Sequence, residues 1–421
     1  MNRIALLSAA ILACFICQAK PTTPRTATQR AVQEAETSGP LSESVWGICA
    51  VTMRGDTLAW LNAQRRMVPA SNMKLITTGA ALLTFGGGYT FKTTFATDGE
   101  VADSVLNGNL YIIGGGDPMI GNLFSYLPRR ETTFSKWHKI LKDKGIKQIN
   151  GDIVGDGTYF SGERRHTDWS TEDLRTRDGV VPSGLTWRGR MQDTIPDGPY
   201  PAALHFLEWL EGSSEIEVSG TAREGHADSL EVLGTLPSVP LRSIVRTANC
   251  QSDNFIAETL IKALGKRLNG NDGYTQSVSA LHRALSPVGM MGPSGGMSFA
   301  DGSGLSRKNY VSPSFMVRYL KAMAGSKVYK DFLASLPKAG EKGTTLERRL
   351  PGTEAALKDR IRMKSGSMNG VRCFSGYILS ADGNPSRTIV FSLFSNNAVG
   401  SNAQVYPVLD GIIRTLAQEN R

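Results

Sequence analysis

Apolar positions follow a helical spacing through residues 68–83, and this stretch predicts a buried helix near the start of the chain. Apolar and small residues run through it without an internal proline, and Lys74 is its only charge. Ser71 lies three residues before Lys74, so on a helix the two side chains would share one face. The helix is predicted to end near Phe85, where three glycines follow.

Elsewhere the pattern predicts a β-rich middle between two regions of mixed structure. Two β-rich runs before the Ser71 helix, at residues 47–51 and 57–60, predict a hairpin. From about residue 89 to residue 237, short β-like runs alternate with Gly-Asp turns, and short helices are predicted at 137–144 and 203–210. After residue 241 the predicted elements are helices at 244–264 (interrupted at 249–254), 274–285, 313–323 and 403–418, and strands at 373–380 and 387–395.

These changes in pattern predict the division into domains. A chain of 421 residues is long enough to bury more than one core. We expect residues 42–88 and 238–421 to form one discontinuous domain, with residues 89–237 inserted as a β-rich region. Residues 20–41 are rich in Thr, Pro, Ala, Gln and Ser, which predicts a linker or a loosely packed lead-in.

The first 19 residues indicate the compartment. A short positive start and an apolar run at residues 4–16 precede Cys17-Gln18-Ala19, which has small residues where a signal peptidase reads. This pattern predicts a secretory signal peptide, and hence the periplasm or cell envelope. Residues 11–14 also resemble a lipoprotein cleavage box ending at Cys14. Phe15 and Ile16 continue the apolar run past that cysteine, so cleavage near Ala19 is favoured over lipidation.

Charge and cysteine content narrow the classes of partner. The net charge of +9 suits an acidic partner such as an anionic envelope polymer or a membrane surface, and peripheral contact with a membrane stays open. No nucleic acid is expected, because no zinc-finger spacing, RNA-binding aromatic motif or concentrated basic run occurs. Neither a metal nor a cofactor is expected. Cys49, Cys250 and Cys373 would remain after cleavage, and the sequence does not indicate their redox state.

Ser71 and Lys74 are candidates for a nucleophile and its base. A lysine in apolar surroundings is costly to keep charged, and its neutral amine can take a proton from a neighbouring hydroxyl. The free backbone N–H groups at a helix N-terminus would also stabilise negative charge near the serine. The pattern is weak alone, since it recurs at residues 335–338 with a proline inside. Ser71 as a helix cap and Lys74 as a surface lysine is the structural alternative.

Three short elements in a fixed order make the functional interpretation more specific. They are Ser71-x-x-Lys74, Ser252-Asp253-Asn254 and Lys364-Ser365-Gly366. Ser-x-Asn also occurs at residues 367–369 and 395–397, but both copies lie at or after the Lys-Ser-Gly element. The copy at 252–254 lies on a turn between helical runs, and Lys-Ser-Gly leads into a predicted strand hairpin. The same ordered set forms the active site of penicillin-binding proteins and serine β-lactamases.

The chain resembles the peptidase S13 family, the class C low-molecular-mass penicillin-binding proteins. Stretches similar to the family extend over nearly all of the mature chain, at residues 115–118, 155–160, 301–307 and 339–344. Serine at position 365 replaces the family's usual threonine and keeps the hydroxyl. The resemblance implies an α/β fold of the penicillin-binding protein/β-lactamase type, an antiparallel sheet flanked by helices with an inserted β-rich region. It also implies D-Ala-D-Ala carboxypeptidase and endopeptidase activity on peptidoglycan stem peptides, with β-lactam antibiotics as covalent inhibitors.

The resemblance further implies a role for each site residue. Ser71 would form the acyl-enzyme, with Lys74 as the base. Ser252 would relay a proton to the leaving amine, and Asn254 would bind substrate and steady Lys74. Lys364, the fifth catalytic residue, would keep the site positive and receive the terminal carboxylate with Ser365. The residues implied in substrate binding are Ser365, Gly366 and Ser367, and the N–H groups of Ser71 and Ser367 would form the oxyanion hole. Asp253 is assigned a structural role.

Two other functions remain as alternatives. One is a β-lactamase or esterase of the same superfamily, against which the large insertion and the loop at residues 301–307 argue. The other is a non-catalytic envelope-binding protein that keeps the fold. The presence of all five predicted catalytic side chains argues against it.

Overall fold

The computed structural model describes residues 26–39, 41–121, 130–174, 179–188, 198–290 and 297–419, with backbone only at 130–132. The predicted signal peptide and Cys14 lie outside these residues. The helices are α1 (Ala27–Thr37), α2 (Met73–Phe85), α3 (Arg130–Asp143), α4 (Thr171–Leu174), α5 (Tyr200–Ser213), α6 (Leu241–Gln251), α7 (Asn254–Asn269), α8 (Tyr274–Ala284), α9 (Pro313–Ala324), α10 (Tyr329–Ser335), α11 (Ala355–Lys358) and α12 (Asn402–Gln418). The strands are β1 (Val45–Thr52), β2 (Thr57–Leu61), β3 (Lys92–Thr97), β4 (Glu100–Ala102), β5 (Val105–Asn107), β6 (Leu110–Gly114), β7 (Gln148–Ile149), β8 (Ile153–Asp156), β9 (Glu217–Val218), β10 (Ala222–Glu224), β11 (Glu231–Pro237), β12 (Met297–Ser298), β13 (Tyr310–Val311), β14 (Ile361–Met368), β15 (Val371–Ile378) and β16 (Ile389–Asn396).

One antiparallel sheet joins the two ends of the chain. Its strand order is β14-β15-β16-β1-β2, so the early hairpin pairs with the late strands. The central strand β1 is buried on both faces because helices cover both sides. Alternate residues of β1 enter different cores: Cys49 faces the core that contains α2 and α7, and Ile48 faces the core that contains α12. This sheet flanked by helices confirms the predicted fold class.

The inserted region contains two sheets of its own. A five-stranded sheet has the order β10-β8-β6-β3-β11, and a smaller one has the order β4-β5-β7-β9. An aromatic core that includes Phe95, Trp137 and Phe206 packs between these strands and helices α3 and α5. A separate core and separate sheets support the proposal that residues 89–237 are an inserted domain between two parts of one discontinuous domain.

The structure differs from the predicted linker at residues 20–41. Within it, residues Ala27–Thr37 form α1, which begins with a capping box between Thr26 and Gln29. Val32 of α1 is buried in the core that also contains α12. The N–H and hydroxyl of Thr28 donate to the Glu419 carboxylate at 3.0 and 2.9 Å. The stretch is polar overall, but α1 has a narrow apolar face. The packing of that face against the rest of the protein stabilises the helix.

All the helices predicted after residue 241 are present, including the interruption between α6 and α7. Helices α10 and α11 were not predicted from the sequence. Cys49, Cys250 and Cys373 are buried free thiols. None of the helices in the described part of the chain is long and apolar enough to span a membrane.

Candidate active site

Ser71 lies in a 3-10 turn, Ala70–Asn72, that leads directly into α2. The prediction placed the serine in the first turn of the helix, and the structure places it in this tighter turn just before the helix. Ala70 has a φ of +44°, which is uncommon for a residue with a side chain. Such a conformation costs free energy and persists only where the surroundings enforce it. The backbone therefore fixes Ser71 at the N-terminal end of α2.

Strand β14 lies directly against this turn, and Gly366 permits the approach. A Cβ at Gly366 would lie 2.7 Å from Asn72 Nδ2 and 2.8 Å from the carbonyl oxygen of Pro69. Both distances are too short for real carbon contacts, so position 366 needs a glycine. Ser367, the next residue of β14, lines the same cleft as Ser71.

Lys74 is fully buried, and its amine contacts oxygen atoms of Ser71, Asn254 and Ser303. Its Nζ lies 2.8 Å from Ser71 Oγ, 2.6 Å from Asn254 Oδ1 and 2.8 Å from the carbonyl oxygen of Ser303. The amide and carbonyl oxygens can only accept hydrogen bonds, whereas the serine hydroxyl can also donate. When the amine is neutral, its two N–H groups satisfy Asn254 and Ser303, and its lone pair is left for the hydroxyl of Ser71. The geometry thus favours transfer of the serine proton to this lysine.

Ser252 and Lys364 form a second hydroxyl–lysine pair. Ser252 ends α6 in the left-handed conformation, with a φ of +55°, and projects between α6 and α7. Lys364 Nζ donates to Ser252 Oγ at 2.9 Å and to the carbonyl oxygen of Ser365 at 2.7 Å. Two serines and two lysines, from three stretches of the chain that are far apart in sequence, therefore lie close together.

Lys364 is fully buried, and its electrostatic environment is unfavourable for its charge. Burial lowers the pKa of this lysine well below its ordinary range, and the neighbouring positive charge of Lys74 lowers the pKa further. An anionic group brought to Lys364 would relieve both effects. The arrangement is therefore prepared to receive a carboxylate.

Asp253, between the two catalytic candidates Ser252 and Asn254, has structural partners. Its Oδ1 accepts from the N–H of Ile256 at 3.0 Å, which caps α7. Its Oδ2 accepts from Arg188 Nη1 of the insertion at 2.9 Å. These contacts agree with the structural role assigned from the sequence.

The carbonyl of Ser303 is a contact that the sequence analysis missed. The Asp-Gly-Ser-Gly run at 301–304 was recognised as a turn-rich loop, but no role was assigned to it. Gly304 has a φ of +87°, and a Cβ there would lie 2.0 Å from the carbonyl oxygen of Ala70. A run of small residues with buried polar partners was the available signal. No sequence spacing shows that its carbonyl would reach Lys74.

A cleft of about 990 Å³ opens over Ser71. Ser365 Oγ lies on its wall and donates to Thr345 Oγ1 at 2.9 Å. Besides the predicted residues, the cleft is lined by side chains of the insertion, of the loop after residue 303 and of residues 344–349. Its charged lining residues are Asp168, Glu172, Asp173, Arg307, Glu347, Arg348 and Arg349. Charges of both signs therefore face a bound substrate.

The structure brings together all five predicted catalytic side chains, which are Ser71, Lys74, Ser252, Asn254 and Lys364. Ser71, Ser252, Asn254, Ser365 and Ser367 line the cleft, and the two lysines lie directly beneath. No group of three or more His, Cys, Asp or Glu side chains suited to a metal occurs in the described ranges.

The chain is similar in sequence to known D-alanyl-D-alanine carboxypeptidases. The chain is 27% identical to a D-alanyl-D-alanine carboxypeptidase of Actinomadura sp. (strain R39), over 86% of this chain and 79% of that protein. It is 25% identical to the D-alanyl-D-alanine carboxypeptidase DacB of Haemophilus influenzae, over 82% and 84% of the two chains.

Solved structures show the same fold. Penicillin-binding protein 4 of Haemophilus influenzae superposes with a TM-score of 0.76 at 22% identity, over 93% of this chain and 99% of that one. A predatory peptidoglycan endopeptidase of Bdellovibrio bacteriovorus gives a TM-score of 0.58 at 16% identity, over 90% and 94%. The sequence profile of one peptidase family matches residues 28–195 and 202–416. The chain belongs to the D-Ala-D-Ala carboxypeptidase 3 (S13) family.

Proposed function

We propose that this protein hydrolyses the D-Ala-D-Ala end of peptidoglycan stem peptides through an acyl-enzyme on Ser71. The observation that carries the proposal is the placement of Lys74 Nζ, 2.8 Å from Ser71 Oγ, with two further acceptors that hold its N–H groups. Membership of the S13 family and the names of its relatives support the choice of substrate.

In the acylation step, Ser71 Oγ attacks the carbonyl carbon of the penultimate D-Ala while its proton passes to Lys74. The carbonyl oxygen becomes an oxyanion, which the N–H groups of Ser71 and Ser367 stabilise. One such donor contributes about 2.7–4 kcal/mol to lowering the barrier. The tetrahedral intermediate collapses as the C–N bond breaks, and the terminal D-Ala leaves.

The leaving nitrogen needs a proton, and Ser252 is placed to deliver it. The proton that Lys74 took from Ser71 then passes to Ser252 and restores its hydroxyl. The hydroxyl of Ser252 lies 2.9 Å from Lys364 Nζ, and Ser252 lines the same cleft as Ser71. Lys364 itself attracts the terminal carboxylate of the substrate, which Ser365 and Gly366 help to position. Asn254 accepts a hydrogen bond from Lys74 and forms another with the amide backbone of the substrate. Water then hydrolyses the ester and returns the proton to Ser71.

A β-lactam would follow the same first step. Its strained amide acylates Ser71, but the leaving nitrogen stays tethered in the opened ring and obstructs the attack of water. We therefore expect a long-lived adduct with benzylpenicillin. Intact-protein mass spectrometry of the wild type and of Ser71→Ala tests this expectation.

Each outcome of that experiment has a distinct meaning. A stable mass increase that is lost in Ser71→Ala identifies the nucleophile. Rapid consumption of penicillin without an adduct would favour a β-lactamase. Neither adduct nor consumption would favour the non-catalytic envelope-binding protein. Digestion of purified crosslinked muropeptides then measures endopeptidase against carboxypeptidase activity.

For the compartment, we propose secretion to the periplasm with removal of residues 1–19. The family acts on cell-wall peptides, which lie outside the inner membrane, and the N-terminal sequence has the pattern of a signal peptide. The mass of the protein purified from the envelope tests this. A chain that begins at Lys20 supports the proposal, whereas a lipid-modified chain that begins at Cys14 would replace it with membrane anchoring.

A further inference from the structure

A buried carboxyl group that the mechanism above does not use lies one helical turn from Asn254. Glu258, on α7, has no exposed surface. Its Oε1 accepts from the N–H groups of Gly302 at 3.1 Å and Ser303 at 2.7 Å. It therefore touches the loop whose carbonyl contacts Lys74.

In two consecutive peptide groups of that loop, both the carbonyl oxygen and the N–H group form hydrogen bonds with buried side chains. The Gly302–Ser303 peptide receives the Thr77 hydroxyl on its oxygen at 2.7 Å and gives its N–H to Glu258.

The Ser303–Gly304 peptide receives Lys74 on its oxygen at 2.8 Å and gives its N–H to Asp301 Oδ1 at 2.8 Å. The position of the Lys74 acceptor is thus set by two buried carboxyl groups on the far side of the loop, those of Glu258 and Asp301.

The surroundings of the two carboxyl groups differ in how strongly they stabilise a negative charge. Asp301 accepts four hydrogen bonds, from Trp169 Nε1, Ser306 N, Gly304 N and Asn309 Nδ2. Glu258 accepts from the two loop N–H groups, but burial, followed by the negative charge of Asp301, raises its pKa to about 8. The other titratable groups around it are Tyr274 of α8, whose own pKa is raised by burial and by these carboxylates, and Lys74 across the loop.

We propose that Glu258 is a positioning residue for the Lys74 base, and that only its neutral form supports full acylation activity. The proposal rests on the function proposed above. The neutral acid still accepts both loop N–H groups, because one oxygen receives them both.

Ionisation would place a second negative charge beside the buried carboxylate of Asp301. That charge would stabilise the protonated form of Lys74, which cannot act as a base. Acylation should therefore fall as the pH rises through about 8.

Glu258→Gln tests the proposal, because glutamine has the shape of the neutral acid and cannot ionise. The rate of acylation by benzylpenicillin would be measured from about pH 6 to about pH 9.5 in both proteins. We expect the variant to stay within about twofold of the wild type near pH 7. It should lack the decline centred near pH 8, and any decline left at higher pH would report Lys364.

A purely structural role would give a different result, in which Glu258→Gln lowers the rate by one factor at every pH. That result, or the same alkaline decline in both proteins, would overturn the proposal. Asp117→Asn is the matched control, because it neutralises a partly buried carboxyl in the insertion, away from Lys74. It should leave the alkaline limb unchanged.

Two measurements keep the proposal open to refutation if the variant does not fold. Infrared spectroscopy of the wild type should show a protonated carboxyl group that disappears between about pH 7 and about pH 9. A wild-type acylation rate that is level over this range would also overturn the proposal. If the wild type forms no adduct at Ser71, the proposed function fails, whereas an adduct with an unchanged pH profile defeats only the role of Glu258.

Discussion

Gly304 and Ala70 touch through their backbones, and both have positive φ angles. A Cβ on Gly304 would lie 2.0 Å from the carbonyl oxygen of Ala70, the residue before the nucleophile. Their φ angles are +87° and +44°. The loop that contacts Lys74 is thus packed directly against the turn that holds Ser71, and each constrains the other.

Gly304→Ala should therefore reduce both stability and acylation. The new methyl group meets backbone, which cannot move aside cheaply, and the positive φ adds strain. We expect a loss of about 3 kcal/mol in the free energy of unfolding and a much slower reaction with benzylpenicillin. Thermal unfolding and adduct formation measure the two effects.

Gly270→Ala is the control, because Gly270 has a φ of +69° with no atom near its Cβ position. It should cost about 1 kcal/mol and leave acylation unchanged. Equal effects of the two substitutions would show that the contact with Ala70 is unimportant.

Asn254→Asp should shift the acidic limb of the acylation rate to higher pH. The substitution keeps the shape but puts a negative charge about 2.6 Å from Lys74 Nζ. That charge raises the pKa of Lys74, so the neutral amine needed as a base appears only at higher pH. We expect a shift of about one pH unit or more. Asn254→Ser, which brings no charge, should slow acylation without that shift.

Two fully buried lysines should respond in opposite ways to replacement by methionine. Lys364 donates to a hydroxyl and a carbonyl, and its pKa is lowered, so its charge is costly in the folded state. Lys364→Met should raise stability by about 0.5–2 kcal/mol while acylation is severely impaired.

Lys262 forms an ion pair with the buried Asp272 at 3.2 Å. Lys262→Met leaves that carboxylate without its cation and should cost about 3–5 kcal/mol. A destabilised Lys364→Met protein would contradict the expectation that the charge of Lys364 is costly in the folded state.

The lowered pKa of Lys364 also predicts a pH dependence of stability. Between the lowered pKa of the folded state and the ordinary value of 10.5, the unfolded state binds more protons than the folded state. The contribution of this group to stability therefore increases as the pH rises through that window. Urea unfolding of the wild type and Lys364→Met at several alkaline pH values should show a difference that shrinks with increasing pH.

Trp169→Phe should slow acylation although Trp169 belongs to the insertion. Its indole N–H donates to Asp301 Oδ2 at 2.9 Å in a buried environment, and Asp301 holds the Ser303–Gly304 peptide. A hydrogen bond to a charged group contributes about 1.5–3 kcal/mol, so we expect about tenfold slower acylation. Trp137→Phe removes a similar volume from the insertion core and should leave the acylation rate unchanged. If both variants acylate at the wild-type rate, the insertion does not support the site.

The local pattern of apolar and polar residues was sufficient to predict part of the secondary structure of this protein. The apolar spacing before and after Lys74, the interruption between α6 and α7, and the strands after residue 373 are local signals, and the helices and sheet formed as predicted. The polar stretch at residues 20–41 misled, because α1 depends on contacts with residues almost 400 positions away, such as Thr28 with Glu419.

The three motifs could be found in the sequence because their residue types and order are characteristic of one chemistry. Their geometry could not, since hydrogen bonds of 2.6–2.9 Å among Ser71, Lys74, Asn254, Ser252 and Lys364 join positions up to 180 residues apart. Nor could the burial that makes Lys364 and Glu258 unusual, because desolvation depends on every element packed around a side chain. The sequence alone determined which groups are present, and only the tertiary structure decided their distances, their solvent exposure and therefore their proton affinities.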